Sequence, residues 1–168
     1  MKAIKFFAIA ILFSGVSVIS SAQVKATATA SSTIVTPIGI TKTVDMNFGN
    51  VAVNSTTAGT VVLTPEGTRE KTGGVTLPAT KGTVTAAQFN VTGADGYTFA
   101  ITLPTDITIS NGAGGSMIVN NFISTPDGTG TISGDTPIKV GATLNVAAGQ
   151  VAGTYTSVTP FEVTVNYN

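Results

Sequence analysis

The chain has 168 residues with eight basic and eight acidic side chains, and it contains no cysteine and no histidine. The missing residue types remove the thiolate nucleophile, the commonest general base and the soft metal ligands. No basic stripe offers the phosphate neutralisation that nucleic-acid binding requires. We therefore expect a protein that is not an enzyme, holds no cofactor and binds no nucleic acid.

Residues 1–22 have the pattern of a secretory signal peptide. Two lysines and an apolar run over residues 6–19 precede small residues at Ser20–Ala22. The run is shorter than the roughly 20 apolar residues of a membrane-spanning helix. We predict cleavage after Ala22 and export to the periplasm, the outer cell surface or the extracellular space. The mature chain, residues 23–168, is expected to contain no membrane span.

An alternating segment follows the predicted cleavage site. Its apolar positions are separated by lysine, threonine and serine, which is the pattern of a strand donated to a neighbouring subunit. The same pattern fits an edge strand of the chain's own domain, or an N-terminal leader that is frayed and forms no stable strand. The candidate partner-strand residues are Val24, Ala26, Ala28 and Ala30.

Further along the chain, period-two alternation and β-branched residues favour strands. Asp95–Gly96, Asn111–Gly112 and Asp127–Gly128 separate the alternating runs, because these residue pairs suit tight turns. Short strands divided by such turns predict an all-β sandwich of one domain over residues 23–168. The predicted core faces begin at Ile38, Val61, Val75, Ala87, Tyr97, Ile107, Met117 and Ile138.

At Asn120–Asn121 the alternation changes phase. Met117 and Val119 occupy odd positions on the apolar face, whereas Phe122 occupies an even one. One extra residue in a strand moves all later side chains to the opposite face. The sequence therefore predicts a β-bulge or a register change at this point.

The C-terminal residues form a further alternating run. Phe161, Val163, Val165 and Tyr167 share one face, and polar residues occupy the positions between them. We predict a final strand inside a sheet, with these four side chains in the core and Tyr167 closing it. The strand either completes a self-contained sandwich or takes part in assembly between subunits.

Three turn-rich segments offer an alternative function, a small exported module that binds a ligand or a glycan. They are residues 64–74, 111–116 and 125–137, of which the first is interpreted as a solvated, charged loop. Asp127 and Asp135 supply oxygen ligands of the kind that Ca²⁺ prefers, but the spacing of a calcium loop is absent. Turn formation explains Asp-Gly without a metal, and the sequence leaves this question open.

Over nearly its whole mature length the chain resembles the DUF4402 family of exported bacterial domains. The resemblance is carried by "MNFGNVAV" (46–53), "QFNVTGADGYTFAITLP" (88–104) and "IKVGATLNVAAGQVAGTYTSVTPFEVTVNYN" (138–168). That family is similar to spore-coat-U and fimbrial-subunit domains, which implies an immunoglobulin-like antiparallel β-sandwich and no known ligand. Two features depart from these patterns: the disulfide common in fimbrial subunits is missing, and Thr159–Pro160 stands where glycine is more usual. Since proline cannot donate to a ladder, we expect it at an edge or a bulge.

The sequence thus predicts a secreted, non-catalytic structural or adhesive surface protein. A fimbria-like subunit that assembles by β-strand addition fits the alternating segments at both ends. The expected partners are copies of the same chain or other surface subunits.

Overall fold

The structure is a computed structural model that describes residues 22–168. The predicted signal peptide, residues 1–22, lies outside the described residues except for Ala22. The chain divides into a unit that ends at Thr33 and a unit from Ile34 to Asn168. In the first unit, the described residues 22–33 form no strand and their side chains are exposed.

Every regular secondary-structure element in the described part of the chain is a β-strand, which confirms the all-β prediction. Within residues 22–168, the structure contains no helix with the length and hydropathy of a transmembrane segment. The strands are β1 (Gly39–Val44), β2 (Ala52–Val53), β3 (Gly59–Leu63), β4 (Arg69–Gly73), β5 (Val75–Thr76), β6 (Ala87–Thr92), β7 (Thr98–Thr102), β8 (Asp106–Ser110), β9 (Ser116–Thr125), β10 (Thr129–Thr131), β11 (Thr136–Val146), β12 (Thr156–Ser157) and β13 (Thr164–Tyr167).

These strands form antiparallel sheets, the largest of which is curled. Its strand order is β1-β6-β11-β9-β8-β12, and β3 also pairs with β11 and carries β4 on its other side. A smaller sheet has the order β10-β7-β13, and β2 pairs with β5. The final strand was predicted to lie inside a sheet, but β13 lies at the edge of the smaller sheet, where its ladder partner is β7.

Strand β11 is the central strand of the large sheet. Residues 136–140 pair with β6 and residues 142–146 pair with β3, while β9 pairs along the opposite edge. Gly141 lies where the two partners on one edge meet. A Cβ atom at this position would overlap the carbonyl oxygen of Leu63 and would lie 2.7 Å from the carbonyl carbon of Thr64. The backbone of β3 can turn away at this point because residue 141 has no side chain.

Strand β9 contains the bulge that the sequence predicted. Its register with β11 shifts between the pairs Gly141–Ile123 and Thr143–Asn120, so that β9 contains one extra residue. Asn121 has a positive φ of 49°, a conformation that asparagine tolerates better than most residues. The extra residue restores Phe122 to the core-facing side of the strand, which confirms the predicted change of phase.

The buried side chains form two hydrophobic clusters, and Phe122 and Met46 pack against both. The first cluster draws on both the large and the smaller sheet, and the second lies under β3, β9 and the C-terminal half of β11. The first cluster consists of Ala87, Phe89, Val91, Phe99, Ile132, Ile138, Val140, Val163 and Val165. The second consists of Val61, Val75, Val119, Ala142, Leu144 and Val146.

One residue of the predicted core faces, Tyr97, differs from the structure. The face that begins at Ile38 was expected to continue to Phe48, and Ile38, Ile40 and Met46 do pack against the first cluster and Phe48 against the second. Strand β1 itself ends at Val44 after a register shift against β6. A single bridge between Asn47 and Thr85 follows. Tyr97 was expected in the core, but its side chain is about half exposed and lies just before β7.

We predict that Gly141→Ala destabilises the protein. The added methyl group must displace the backbone of Leu63 and Thr64, and such overpacking costs about 1–3 kcal/mol. The change is measured as a lower midpoint of urea-induced unfolding.

Gly39→Ala is the matched control, because it adds a methyl group to a strand where the nearest atom is the Thr92 hydroxyl oxygen at 3.2 Å. A flexible side chain can move away at small cost. Equal midpoints for the two variants would contradict the role assigned to Gly141.

Candidate strand-addition site

The outer edge of β13 has backbone groups with no partner among the described residues. The Asn168 N–H donates to the Thr98 carbonyl at 3.1 Å, which shows that residue 168 faces β7. Backbone direction alternates along an antiparallel strand, so Thr164 and Asn166 also face β7. The N–H and C=O groups of Val165 and Tyr167 therefore point to the free edge.

The four predicted core side chains of this segment lie on one face. Val163 and Val165 are buried in the first cluster, with 9% and 7% of their surface exposed, and Phe161 and Tyr167 pack against it. Phe161 lies before the strand rather than in it and contacts the ring of Phe122 at a centroid distance of 5.3 Å. The core beneath the free edge is therefore almost closed.

The Tyr167 hydroxyl ties three segments together. It donates to the Thr36 carbonyl and accepts from the Ala94 N–H, both at 2.7 Å. Gly93 makes room for the hydroxyl, because a Cβ atom there would lie 2.5 Å from the Tyr167 oxygen. This arrangement fixes Thr36 beside the C-terminal end of β13.

Sequence reasoning assigned only the ring of Tyr167 to the core and missed the two bonds of its hydroxyl. A tyrosine rather than a phenylalanine on a core face is a general signal for a buried hydrogen bond. The partners, 73 and 131 residues away, could not be identified from the sequence.

The candidate partner-strand residues occupy the first unit. Val24, Ala26, Ala28 and Ala30 lie in residues 22–33, which form no strand, and each of the four is exposed. Val24 has 94% of its surface exposed. Within the described chain, the alternating pattern therefore does not form an edge strand.

A groove of about 630 Å³ opens near the start of β13. Its walls come from the end of β7, from β8 and from residues 158–164. Its apolar surface comes from Leu103, Pro104, Ile107, Val158, Pro160 and Phe161. Asp106 and Glu162 provide its carboxylates.

Thr159–Pro160 lies in the connection between β12 and β13, outside both ladders. The missing N–H of Pro160 therefore costs no hydrogen bond within a sheet.

Residues 64–74 were expected to form a solvated, charged loop. Glu66, Glu70 and Lys71 are exposed, but the segment forms the turn and the second strand of a β-hairpin. Strand β4 pairs with β3 along its full length. The Arg69 guanidinium donates through Nη1 to the carbonyls of Phe48 at 2.6 Å and Asn50 at 2.9 Å. Arg69 therefore fastens the hairpin to the preceding turn rather than presenting its charge to a ligand.

The segment 111–116 is held by its own side chains. Asn111 Oδ1 accepts from the N–H groups of Ala113 and Gly115, both at 2.9 Å. The Tyr155 hydroxyl packs beside this turn, donates to the Val151 carbonyl and accepts from Gln150 Nε2. These polar groups stabilise the local fold and leave little hydrogen-bonding capacity for a ligand.

The acidic residues of segment 125–137 also take part in local structure. Asp135 Oδ1 accepts from Asn90 Nδ2 at 2.9 Å, and Asp127 lies in the connection between β9 and β10. Across residues 22–168, no group of three or more acidic side chains has the arrangement of a metal site.

Comparison with known proteins identifies a family for this chain. Residues 38–167 match the family described as a domain of unknown function, DUF4402, which confirms the resemblance seen in the sequence. No curated protein and no solved structure matches the chain.

We predict that Tyr167→Phe lowers the free energy of unfolding by about 1–2 kcal/mol, since two hydrogen bonds of the hydroxyl are lost. The ring packing against Tyr97 is retained, so the effect isolates the hydroxyl. Urea-induced unfolding measures the change.

Tyr97→Phe is the control, because the Tyr97 hydroxyl makes no hydrogen bond within the described residues and the ring is half exposed. A loss of stability in this control as large as in Tyr167→Phe would show that the tie to Thr36 and Ala94 is unimportant.

Proposed function

Because the chain belongs to the DUF4402 family, we propose that it is an exported, non-catalytic subunit with an immunoglobulin-like β-sandwich fold. Its role is structural or adhesive at the bacterial surface, and it assembles by β-strand addition. The observation that carries the proposal is the free edge of β13 in a chain whose residues 24–30 alternate and remain unpaired.

The sandwich assignment is supported by the shared core. Phe99 of the smaller sheet and Ile138 of the large sheet are both fully buried in the first cluster. Two antiparallel sheets that bury their inner faces against each other are typical of immunoglobulin-like domains. In such a fold, the edges of the sheets are the places where another strand can add.

The free edge offers a donated strand specific backbone partners. Val165 and Tyr167 each present one N–H and one C=O group, which suits an extended segment of about three to five residues. Exposed edges of this kind are usually protected by charge, proline or short length. Strand β13 has one charged neighbour, Glu162, and Pro160 precedes the part that would be paired.

The small side chains of the donor suit the shallow space at this edge. Val163 and Val165 already fill the core, so a donor has no deep cavity to occupy. Alanine at positions 26, 28 and 30 covers such a surface without displacing core residues. Large apolar side chains would be needed only if the core were open.

The proposed location follows from the predicted signal peptide. Cleavage after Ala22 leaves residues 23–33 as the start of the mature chain. Since the chain has no cysteine, its stability outside the cell depends on the two clusters and the ladders rather than on disulfides.

We predict that deletion of residues 23–33 from the mature protein abolishes assembly and leaves a folded monomer. The deleted residues form no strand, so the melting temperature should stay unchanged. Size-exclusion chromatography with light scattering, combined with electron microscopy, measures the assembly state. Assembly of the deleted protein equal to that of the full mature chain would overturn the donor role.

We also predict that Ala28→Pro blocks assembly, because proline removes a backbone donor from the middle of the added strand. Ser32→Pro is the matched control, since it places the same residue in the same exposed segment but after the alternating residues. Equal assembly of the two variants would contradict strand addition through residues 24–30.

A further inference from the structure

We propose that Asn111 is a site of spontaneous chemical modification that the fold keeps closed, and that the chain is altered irreversibly when the turn between β8 and β9 opens. The modification is loss of the side-chain carboxamide nitrogen as ammonia, after attack by the backbone nitrogen of Gly112. The site is independent of the proposed function, since the reaction needs one chain and water.

The residue pair Asn111–Gly112 has the composition that this reaction requires. Asn111 is the only asparagine of the chain that is followed by glycine. The Gly112 nitrogen and the Asn111 Cγ atom are linked through three atoms, so a bond between them closes a five-membered ring. Glycine has no side chain to hinder the closure and allows more backbone conformations than other residues. The surrounding structure therefore decides whether the reacting atoms are free to meet.

The reaction exchanges one carbon–nitrogen bond for another. The Gly112 nitrogen gives its proton to water or hydroxide and attacks the Asn111 Cγ atom. The Cγ–Nδ2 bond then breaks, and Nδ2 takes a proton from water and leaves as ammonia. Water opens the resulting cyclic imide at either carbonyl and gives aspartate or isoaspartate. Because the nitrogen attacks only after it has lost its proton, the rate rises with pH.

The oxygen of the Asn111 carboxamide is held by two backbone groups. Oδ1 accepts from the N–H groups of Ala113 and Gly115, both at 2.9 Å. The Asn111 N–H also donates to the Gly115 carbonyl at 3.1 Å, so the turn closes around the side chain. Any rotation of the carboxamide breaks the bonds to its oxygen.

The two nitrogen atoms of the reaction are held as well. The Gly112 N–H donates to Ser110 Oγ at 3.1 Å, and this bond must break before the proton can leave to solvent. Asn111 Nδ2 lies 3.4 Å from the Tyr155 hydroxyl oxygen. That hydroxyl is itself fixed, because it donates to the Val151 carbonyl at 2.7 Å. The attacking and the leaving nitrogen therefore both have protein partners.

Two glycines bring the neighbouring backbone close to the carboxamide. A Cβ atom at Gly115 would overlap the Tyr155 hydroxyl oxygen and would lie 2.7 Å from Asn111 Nδ2. A Cβ atom at Gly153 would lie 3.3 Å from the Asn111 Cβ atom. The side chain has little space to turn, so cyclisation requires a local opening of the segment between β8 and β9.

Isoaspartate at position 111 does not fit the folded turn. It carries the main chain through Cβ and Cγ, which lengthens the backbone by one carbon atom and removes the side-chain oxygen that bound two N–H groups. The turn joins β8 to β9, whose ladder ends at the pair Ser110–Ser116. Because β9 also pairs with the central strand β11, a fault in this turn affects the large sheet. A chain that has formed isoaspartate while open is therefore hindered from refolding.

The rate of deamidation tests whether the fold closes the site. The mature protein is incubated at alkaline pH with and without enough urea to unfold it, and mass spectrometry of its peptides detects replacement of NH2 by OH at residue 111. Each hydrogen bond shifts the opening equilibrium by about fivefold, so the three bonds of Oδ1 and the Gly112 N–H should slow the folded chain about a hundredfold. A folded chain that reacts as fast as the unfolded one, or faster, would overturn the closed site.

Tyr155→Phe tests the contact at the leaving nitrogen. We expect deamidation of the folded protein to become about fivefold faster, because the hydroxyl beside Nδ2 is lost. The unfolded chain should react at the unmodified rate. Tyr97→Phe is the control, since Tyr97 is half exposed and lies just before β7, away from this turn. Equal rates for the two folded variants would refute the part assigned to Tyr155.

The yield of refolding tests whether the change is irreversible. Unfolded protein is held at alkaline pH for increasing times and then diluted out of urea, and we expect the recovered melting transition to shrink in step with isoaspartate at residue 111. Asn111→Asp is the matched control, because it keeps the acceptor oxygens and a carboxylate is a poor electrophile at alkaline pH. It also measures any loss that arises at Asp95–Gly96 and Asp127–Gly128. The same loss of yield in both proteins would contradict the role of Asn111.

Discussion

The structure depends on one strand that pairs with three others. Residues 136–146 of β11 bond to β6 and then β3 along one edge, and to β9 along the other. Strands β6 and β3 can share one edge of β11 only if the backbone that leaves β3 passes close to β11. The missing side chain of Gly141 permits this close approach. On the opposite edge, the extra residue of β9 adjusts the register at the same place. The two core clusters meet here, bridged by Phe122.

Strand β13 contacts the large sheet through its side chains, whereas its backbone hydrogen bonds are to β7 of the smaller sheet. Val163 and Val165 enter the first cluster, and the Tyr167 hydroxyl binds Thr36 and Ala94. One edge of β13 is thereby held against β7 while the other stays open. A rigid edge with fixed backbone groups is better prepared to receive a strand than a mobile one, because little conformational entropy is lost on binding.

The loops contribute to stability more than their composition suggests. Arg69 binds two carbonyls of a neighbouring turn, and Asn111 caps the N–H groups of its own turn. Asp135 accepts a hydrogen bond from Asn90. Since these polar groups already have protein partners, we propose the sheet edge and the groove beside it as the surfaces for recognition. This is the physical basis for favouring assembly over ligand binding in the turn-rich segments.

The sequence by itself determined the strand segments that alternate, the bulge at Asn121 and the core-facing side of residues 161–167, because period-two alternation is a local property of the chain. Only the tertiary structure decided that β11 has three partners, that residues 69–73 form a strand, and that Tyr167 meets Gly93 and Thr36. Strand order and hydrogen bonds between distant residues depend on packing between faces that look alike in sequence. The free edge of β13 is likewise a property of the whole sheet, since any alternating strand can lie at an edge or inside.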